Sequence, residues 1–160
     1  MRTLDLVVAF LLILTHLIVH VGFGVGAAAP DLFTLALLII ARDTHMAVAA
    51  LIGLGLGLVE DALGLRSFGA HGLSLALVGA LASRTRDLFV GESVMFVATY
   101  LFVGKLAADL FHWVAVGAEH RSGFVRAVFL EGGTGALYVA VVGLALMYTT
   151  GVLRNTGRAR

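Results

Sequence analysis

Apolar residues in this chain are gathered into long blocks broken by short polar stretches, and no other feature limits its fold so tightly. The blocks cover approximately residues 4–21, 30–42, 45–63, 69–84, 93–116 and 127–153. Most approach the roughly 20 apolar residues that a helix needs to cross a bilayer. Strands of an outer-membrane barrel would instead show about ten residues of in-out alternation, which these blocks lack. The expected fold is all-α: one integral membrane domain over residues 1–160, a polytopic protein of about six transmembrane helices. Composition agrees, since 60% of residues are hydrophobic and 13% charged, against about 25% charged in a soluble domain.

The second block is the short one. Its apolar core, Leu32 to Ala41, reaches only about 15 Å at 1.5 Å per residue, so it must tilt, borrow flanking residues, or rely on neighbouring helices and thinned lipid. Counting it as a span gives arginines a clear sidedness. With the N-terminus cytoplasmic, Arg2, Arg42, Arg84, Arg86, Arg154, Arg158 and Arg160 lie inside while Arg66, Arg121 and Arg126 lie outside, seven against three. That follows the positive-inside rule and puts both termini in the cytoplasm of a multi-pass protein. Arg2, the apolar run and Ala27-Ala28-Ala29 superficially resemble a cleavable signal peptide. The run is longer than a usual signal core and more spans follow, so it reads as the first helix. Phe111, Trp113 and Tyr148 fall near helix ends, where aromatic belts sit.

Several chemistries are excluded by what is missing. There are no cysteines, hence no disulfides, thiolate metal sites or cysteine nucleophiles. The net charge of +1 includes no basic run to track nucleic acid. Gly53, Gly55 and Gly57 lie inside an apolar span without a preceding strand, which defeats a phosphate-loop reading. His16 and His20 share a helix face, and His71 can join Asp61 at the outer pole, but no third ligand has metal-site spacing. His112 and His120 read as membrane-surface residues. No nucleophile-base set is present, so the chain is expected to be non-enzymatic, with no metal or other cofactor.

Two features remain as candidate sites. Small residues recur every four positions at Ala49, Gly53 and Gly57, at Gly72, Ala76 and Ala80, and at Gly132, Ala136 and Ala140. Such ridges let helices approach closely in lipid, where the hydrophobic effect cannot drive them together. They serve either the chain's own helices or a partner's. Charges in or near spans are the second feature: Asp31, Glu60, Asp61, Lys105, Asp109 and Glu131, with His71 beside them. Each charge is costly in hydrocarbon and invites a functional explanation. Lys105 and Asp109, four apart on one helix face, can neutralise each other. A structural ion pair or a tie to a partner helix is the plainer use, a proton relay the sharper one. Asp61, at the outer end of the third helix, is expected to order a loop or, alternatively, to hold a ligand.

From Pro30 to about Phe89 the sequence resembles the rod-shape-determining MreD family. The resemblance rests on Pro30-Asp31-Leu32 opening a short apolar helix, the turn at Arg42-Asp43, and a glycine-rich helix ending Gly57-Leu58-Val59-Glu60-Asp61-Ala62-Leu63. Phe68-Gly69-Ala70-His71-Gly72-Leu73 and Leu77-Val78-Gly79-Ala80-Leu81 follow, then basic residues. Glu60 is a departure, because the family favours an apolar or amide residue there. The resemblance implies a subunit of the bacterial elongation machinery in the cytoplasmic (inner) membrane, a non-enzymatic scaffold or regulator of side-wall peptidoglycan synthesis and cell shape. Its implied partners are the single-span protein MreC, the polymerase RodA with a class B penicillin-binding protein, and the cytoskeletal MreB. It also implies the six-helix fold of the substrate-binding components of energy-coupling-factor transporters. The alternative is therefore a vitamin-like small-molecule binding component of such a transporter, using His16, His20, Asp31, Asp61 and His71.

Overall fold

A computed structural model of the chain describes residues 3–19, 31–64, 68–85, 94–118 and 121–150, and all regular structure among them is helical. The helices are α1 (Thr3–Leu17), α2 (Leu32–Ala41), α3 (Met46–Gly64), α4 (Ala70–Thr85), α5 (Val94–Ala115) and α6 (Gly132–Thr149), the last continuing from a π-helical turn at Val125–Glu131. Each expected block thus holds one helix. Arg2, His20, Ala27-Ala28-Ala29, Pro30, Arg66, Arg86, His120 and the three C-terminal arginines lie outside the described residues. Among the described residues three helical stretches are long and apolar enough to cross a membrane: Met46–Gly64, Val94–Ala115 and Val125–Thr149. The chain accordingly has the character of a membrane protein.

The short second block turns out to be the centre of the molecule. All ten residues of α2 are buried, and α2 touches α1, α3, α4, α5 and α6. A helix that is apolar all round has no face suited to water or to a polar groove, so it belongs inside. Its shortness needs no thinned lipid or tilt, because the chain's own helices surround it. Two glycines make room: a Cβ on Gly104 would meet Leu38 at 2.6 Å, and one on Gly143 would meet Leu101 at 2.5 Å and Leu35 at 2.8 Å. Tyr100 donates its hydroxyl to the Leu38 carbonyl at 3.0 Å, tying α5 to α2.

Helices α3 and α4 form a tightly packed antiparallel hairpin. Added Cβ atoms on Gly53 and Gly57 would collide with the carbonyls of Leu75 and His71, and one on Gly79 with the carbonyl of Ala49. Each step of four along α3 is matched by a step of four back along α4, so the two backbones touch in one register. Ser83 extends it, donating to the Thr44 carbonyl at 2.5 Å.

The ridges of small residues are therefore used within the chain. Ala49, Gly53 and Gly57 are buried and face α4, not a partner. Gly132, Ala136 and Ala140 are likewise buried, on the helix that packs most closely with α5. The α4 row needs correcting. Gly72 is buried beneath Leu54 and Leu58 of α3, but Ala76 and Ala80 are only half-buried. The residues carrying close contact are His71, Leu75 and Gly79, a row of four-residue steps that starts one position before Gly72.

Candidate functional site: a charged pole

Four elements bring their polar residues to one pole of the bundle: the last turns of α3, the first turn of α4, the residue before α2 and the second half of α5. Asp61 is the most deeply held of these, with its side chain 1% exposed. Its Oδ2 accepts from the backbone N–H of Gly69 at 2.8 Å and of Gly72 at 3.1 Å. Its Oδ1 accepts from the N–H of His71 at 3.1 Å and faces His71 Nδ1 at 2.8 Å. The opening N–H groups of a helix have no intrahelical acceptor, and a carboxylate there also meets the positive end of the helix dipole. Asp61 thus clasps the end of α3 to the start of α4. Gly69, at φ +96°, supplies the left-handed turn residue that this return requires.

The imidazole of His71 stacks on that of His112 from α5, with centroids 3.7 Å apart. Two turns before His112, Lys105 lies between two carboxylates. Its Nζ is 3.0 Å from Asp31 Oδ2 and also contacts Asp109 Oδ1. Asp31 is fixed as the N-cap of α2, accepting from the Thr34 N–H at 2.9 Å and the Thr34 hydroxyl at 2.6 Å. The pair at Lys105 and Asp109 is therefore a triad that locks α5 to the start of the central helix. Glu60 is half-buried and within electrostatic reach of Asp31, Lys105, Asp61 and Asp109.

Helix α6 closes the site from the side. A Cβ on Gly132 would stand 3.0 Å from Asp109 Oδ2, and one on Gly135 would stand 3.6 Å from Lys105 Cε. Two buried atoms of the cluster, Asp109 Oδ2 and His112 Nδ1, have no hydrogen-bond partner among the described residues. Each is a buried polar atom that its surroundings leave without a partner.

Other expected residues go elsewhere. His16 is buried and stacks on Phe33 with centroids 4.0 Å apart, while its expected companion His20 lies outside the described residues. Among the described residues no three His, Asp or Glu side chains are placed to share a metal ion. Glu131 pairs instead with Arg126 at 2.9 Å, both side chains exposed. The π-helical turn makes that pairing possible, since residues five apart come onto one side when the turn widens. Trp113 donates to the Ser122 carbonyl at 2.8 Å and carries Arg121 over its ring at 4.6 Å. Arg121 also donates to the carbonyls of Val114 and Val116, which α5 leaves open at its end. His112, read from the sequence as a surface residue, is instead half-buried in the cluster. Its spacing of seven from Lys105 and three from Asp109 was the available signal.

No protein-family model, curated protein or solved structure matches the chain.

Proposed function

We propose that this chain is a non-enzymatic scaffold of the MreD kind, a six-span protein of the bacterial cytoplasmic membrane with both termini inside. In this reading it binds an MreC-like single-span partner and supports side-wall peptidoglycan synthesis beside RodA, a class B penicillin-binding protein and MreB. The observation that carries the reading is the clasp at Asp61. The residues of the resemblance, from Gly57 through Asp61 to Gly69-Ala70-His71-Gly72, act together as one structural device joining α3 to α4. Asp31 and Arg42-Asp43 bracket the central helix, with Asp31 as its cap.

Charge placement lends support. Arg42 and Arg84 share the pole where Thr44 meets Ser83, while Arg121 and Arg126 follow α5 at the opposite end. That is the arrangement expected when the first pair is cytoplasmic. The spent small-residue ridges change how a partner would be held. A partner helix meets outward apolar side chains, such as Leu6, Phe10 and Leu14 of α1 or Leu137 and Val141 of α6, and not Gly53 or Gly57. Site-directed cross-linking follows readily from a chain without cysteine. Single cysteines at those five positions, co-expressed with an MreC-like protein carrying a cysteine scan of its membrane helix, are expected to give a periodic cross-link on one face. Absence of both co-purification and cross-linking rejects the scaffold reading.

A second reading rests on the buried polar atoms Asp109 Oδ2 and His112 Nδ1. Convergent polar groups in an otherwise apolar body suit a small-molecule binding component of an energy-coupling-factor transporter. Native mass spectrometry and thermal stabilisation across a vitamin panel separate the two, because the scaffold retains no small molecule.

A further inference from the structure

One contact at the pole joins two groups that both take protons near neutrality. The rings of His71, in the first turn of α4, and His112, in the last turn of α5, lie face to face with centroids 3.7 Å apart and planes inclined by 26°. An imidazole ordinarily gains its proton at a pH of about 6.5. Two imidazolium ions at this separation repel strongly, so the stack accommodates one proton and resists a second.

His71 is where the first belongs. A carboxylate only accepts, so the 2.8 Å contact with Asp61 Oδ1 makes His71 Nδ1 a donor and leaves the other ring nitrogen to take an added proton. Its side chain is 36% exposed, so water can deliver that proton. Asp61 then faces an imidazolium, and a neutral hydrogen bond becomes a charge-assisted one. His112 is the poorer site. Its Nδ1 is buried with no hydrogen-bond partner among the described residues, so an imidazolium there would hold one N–H without an acceptor.

The charges around the rings favour the same count. Asp61 and Glu60 come from α3, Asp31 from the start of α2, and Lys105 and Asp109 from α5 itself. Four carboxyl groups against one ammonium welcome a single added positive charge. Lys105 is held between Asp31 and Asp109, where α6 brings only Gly132 and Gly135. Other charged groups near this end of α5 are engaged: Arg121 lies over Trp113, and Arg126 pairs with Glu131. His16 of α1 stacks on Phe33.

We infer that His71 and His112 form a proton-binding switch: the stack takes one proton with the fold intact, and a second, driven onto His112 by acid, parts the α4–α5 seam at the pole. What separates is decided by the other ties. Asp61 binds the first N–H groups of α4, and backbone contacts lock α3 to α4, so that hairpin moves as one body. On the other side, Lys105 and Tyr100 fasten α5 to Asp31 and to the Leu38 carbonyl of α2. One turn below the rings, Ser74 donates to the buried Ala108 carbonyl at 2.6 Å across the seam. Ser74 is the fulcrum, and the opening lies above it. The switch needs only the packing of α4 against α5, whichever partner the chain serves.

Nuclear magnetic resonance of the full chain in micelles, with its six histidines ring-labelled, counts the protons from about pH 8 to about pH 4, on either side of the ordinary histidine value. His71→Phe and His112→Phe identify the two signals, each keeping a ring in the stack while removing its proton. His71 is expected to titrate first and His112 at least about one pH unit lower, tenfold in proton affinity. In His71→Phe, His112 is expected to titrate about one unit or more higher than in the unsubstituted chain. His112 titrating at the same pH with and without His71 overturns the shared site. So do both rings of the unsubstituted chain titrating together at about 6.5, an outcome that does not depend on the variant folding. The parting is read as the distance between nitroxides on Leu73→Cys of α4 and Leu110→Cys of α5, both exposed positions. Val59→Cys of α3 with Leu73→Cys is the reference pair within the hairpin. The distance from 73 to 110 is expected to lengthen as His112 takes its proton and to stay fixed in His112→Phe, while the reference pair keeps its spacing. An unchanged distance with His112 protonated, or the same lengthening in His112→Phe, overturns the switch.

Discussion

Substituting alanine for glycine at Gly53 and at Gly55, two residues apart on α3, is expected to change stability in opposite directions. At Gly55 a new Cβ meets nothing within 4 Å. The substitution there only removes the conformational freedom of glycine in a helix, a gain of about 0.5–1 kcal/mol. At Gly53 the same methyl would be driven into the Leu75 carbonyl oxygen, with the Ala76 nitrogen at 3.1 Å behind it. The obstacle is backbone on a neighbouring helix, so no side-chain rotation relieves it. Helices α3 and α4 must part, and Gly57 against His71 and Gly79 against Ala49 lose contact with them. Overpacking of this kind costs about 1–3 kcal/mol, which outweighs the propensity gain. The propensity gain is common to both sites and cancels in the comparison, so the two variants should differ by about 1–3 kcal/mol. Reversible unfolding in mixed micelles, titrated with denaturing detergent and followed by circular dichroism, measures the difference. Equal stability of Gly53→Ala and Gly55→Ala would refute the backbone-to-backbone packing from which the argument starts.

Replacing Lys105 by methionine leaves Asp31 and Asp109 without their shared counter-charge, and the same unfolding assay should show a loss of about 3–5 kcal/mol. Combining it with Asp31→Asn and Asp109→Asn should recover much of that loss, which a purely steric role for Lys105 would not allow. Asp61→Ala removes the acceptor for three backbone N–H groups and His71; hydrogen exchange at Gly69, His71 and Gly72 should rise sharply, with exchange in α6 little changed. Tyr100→Phe deletes one buried bond to the Leu38 carbonyl and should cost about 1 kcal/mol. Arg126→Gln breaks an exposed pair and should shift stability by less than about 1 kcal/mol, a useful negative control.

Legibility followed distance along the chain. The Lys105 and Asp109 contact is one helical turn, and its four-residue spacing displays it in the sequence. Asp31 completes the same triad from 74 positions away, and no local pattern points to it. Ala49, Gly53 and Gly57 are visible as a ridge, yet a ridge has no address, and its partner could equally have been another protein's helix. On α4 the row read from Gly72 is one residue out of phase with the row His71, Leu75 and Gly79 that meets α3, and a spacing of four does not by itself fix that phase. His112 looked like a surface residue for a similar reason: what buries it is the ring of His71, forty-one positions earlier.

By itself the sequence determined that the chain is helical and suited to a bilayer, because long apolar blocks leave the backbone no solvent and oblige it to bond within each segment. It also marked the breaks between the helices, since polar and glycine-rich stretches interrupt the apolar blocks locally. Only the tertiary structure decided that the shortest helix is the core and that the glycine ridges are spent on the chain's own packing. It alone gathered Asp31, Glu60, Asp61, His71, Lys105, Asp109 and His112 at one pole. Those outcomes depend on which faces meet, and in lipid that choice is made by close contact and charge between distant segments.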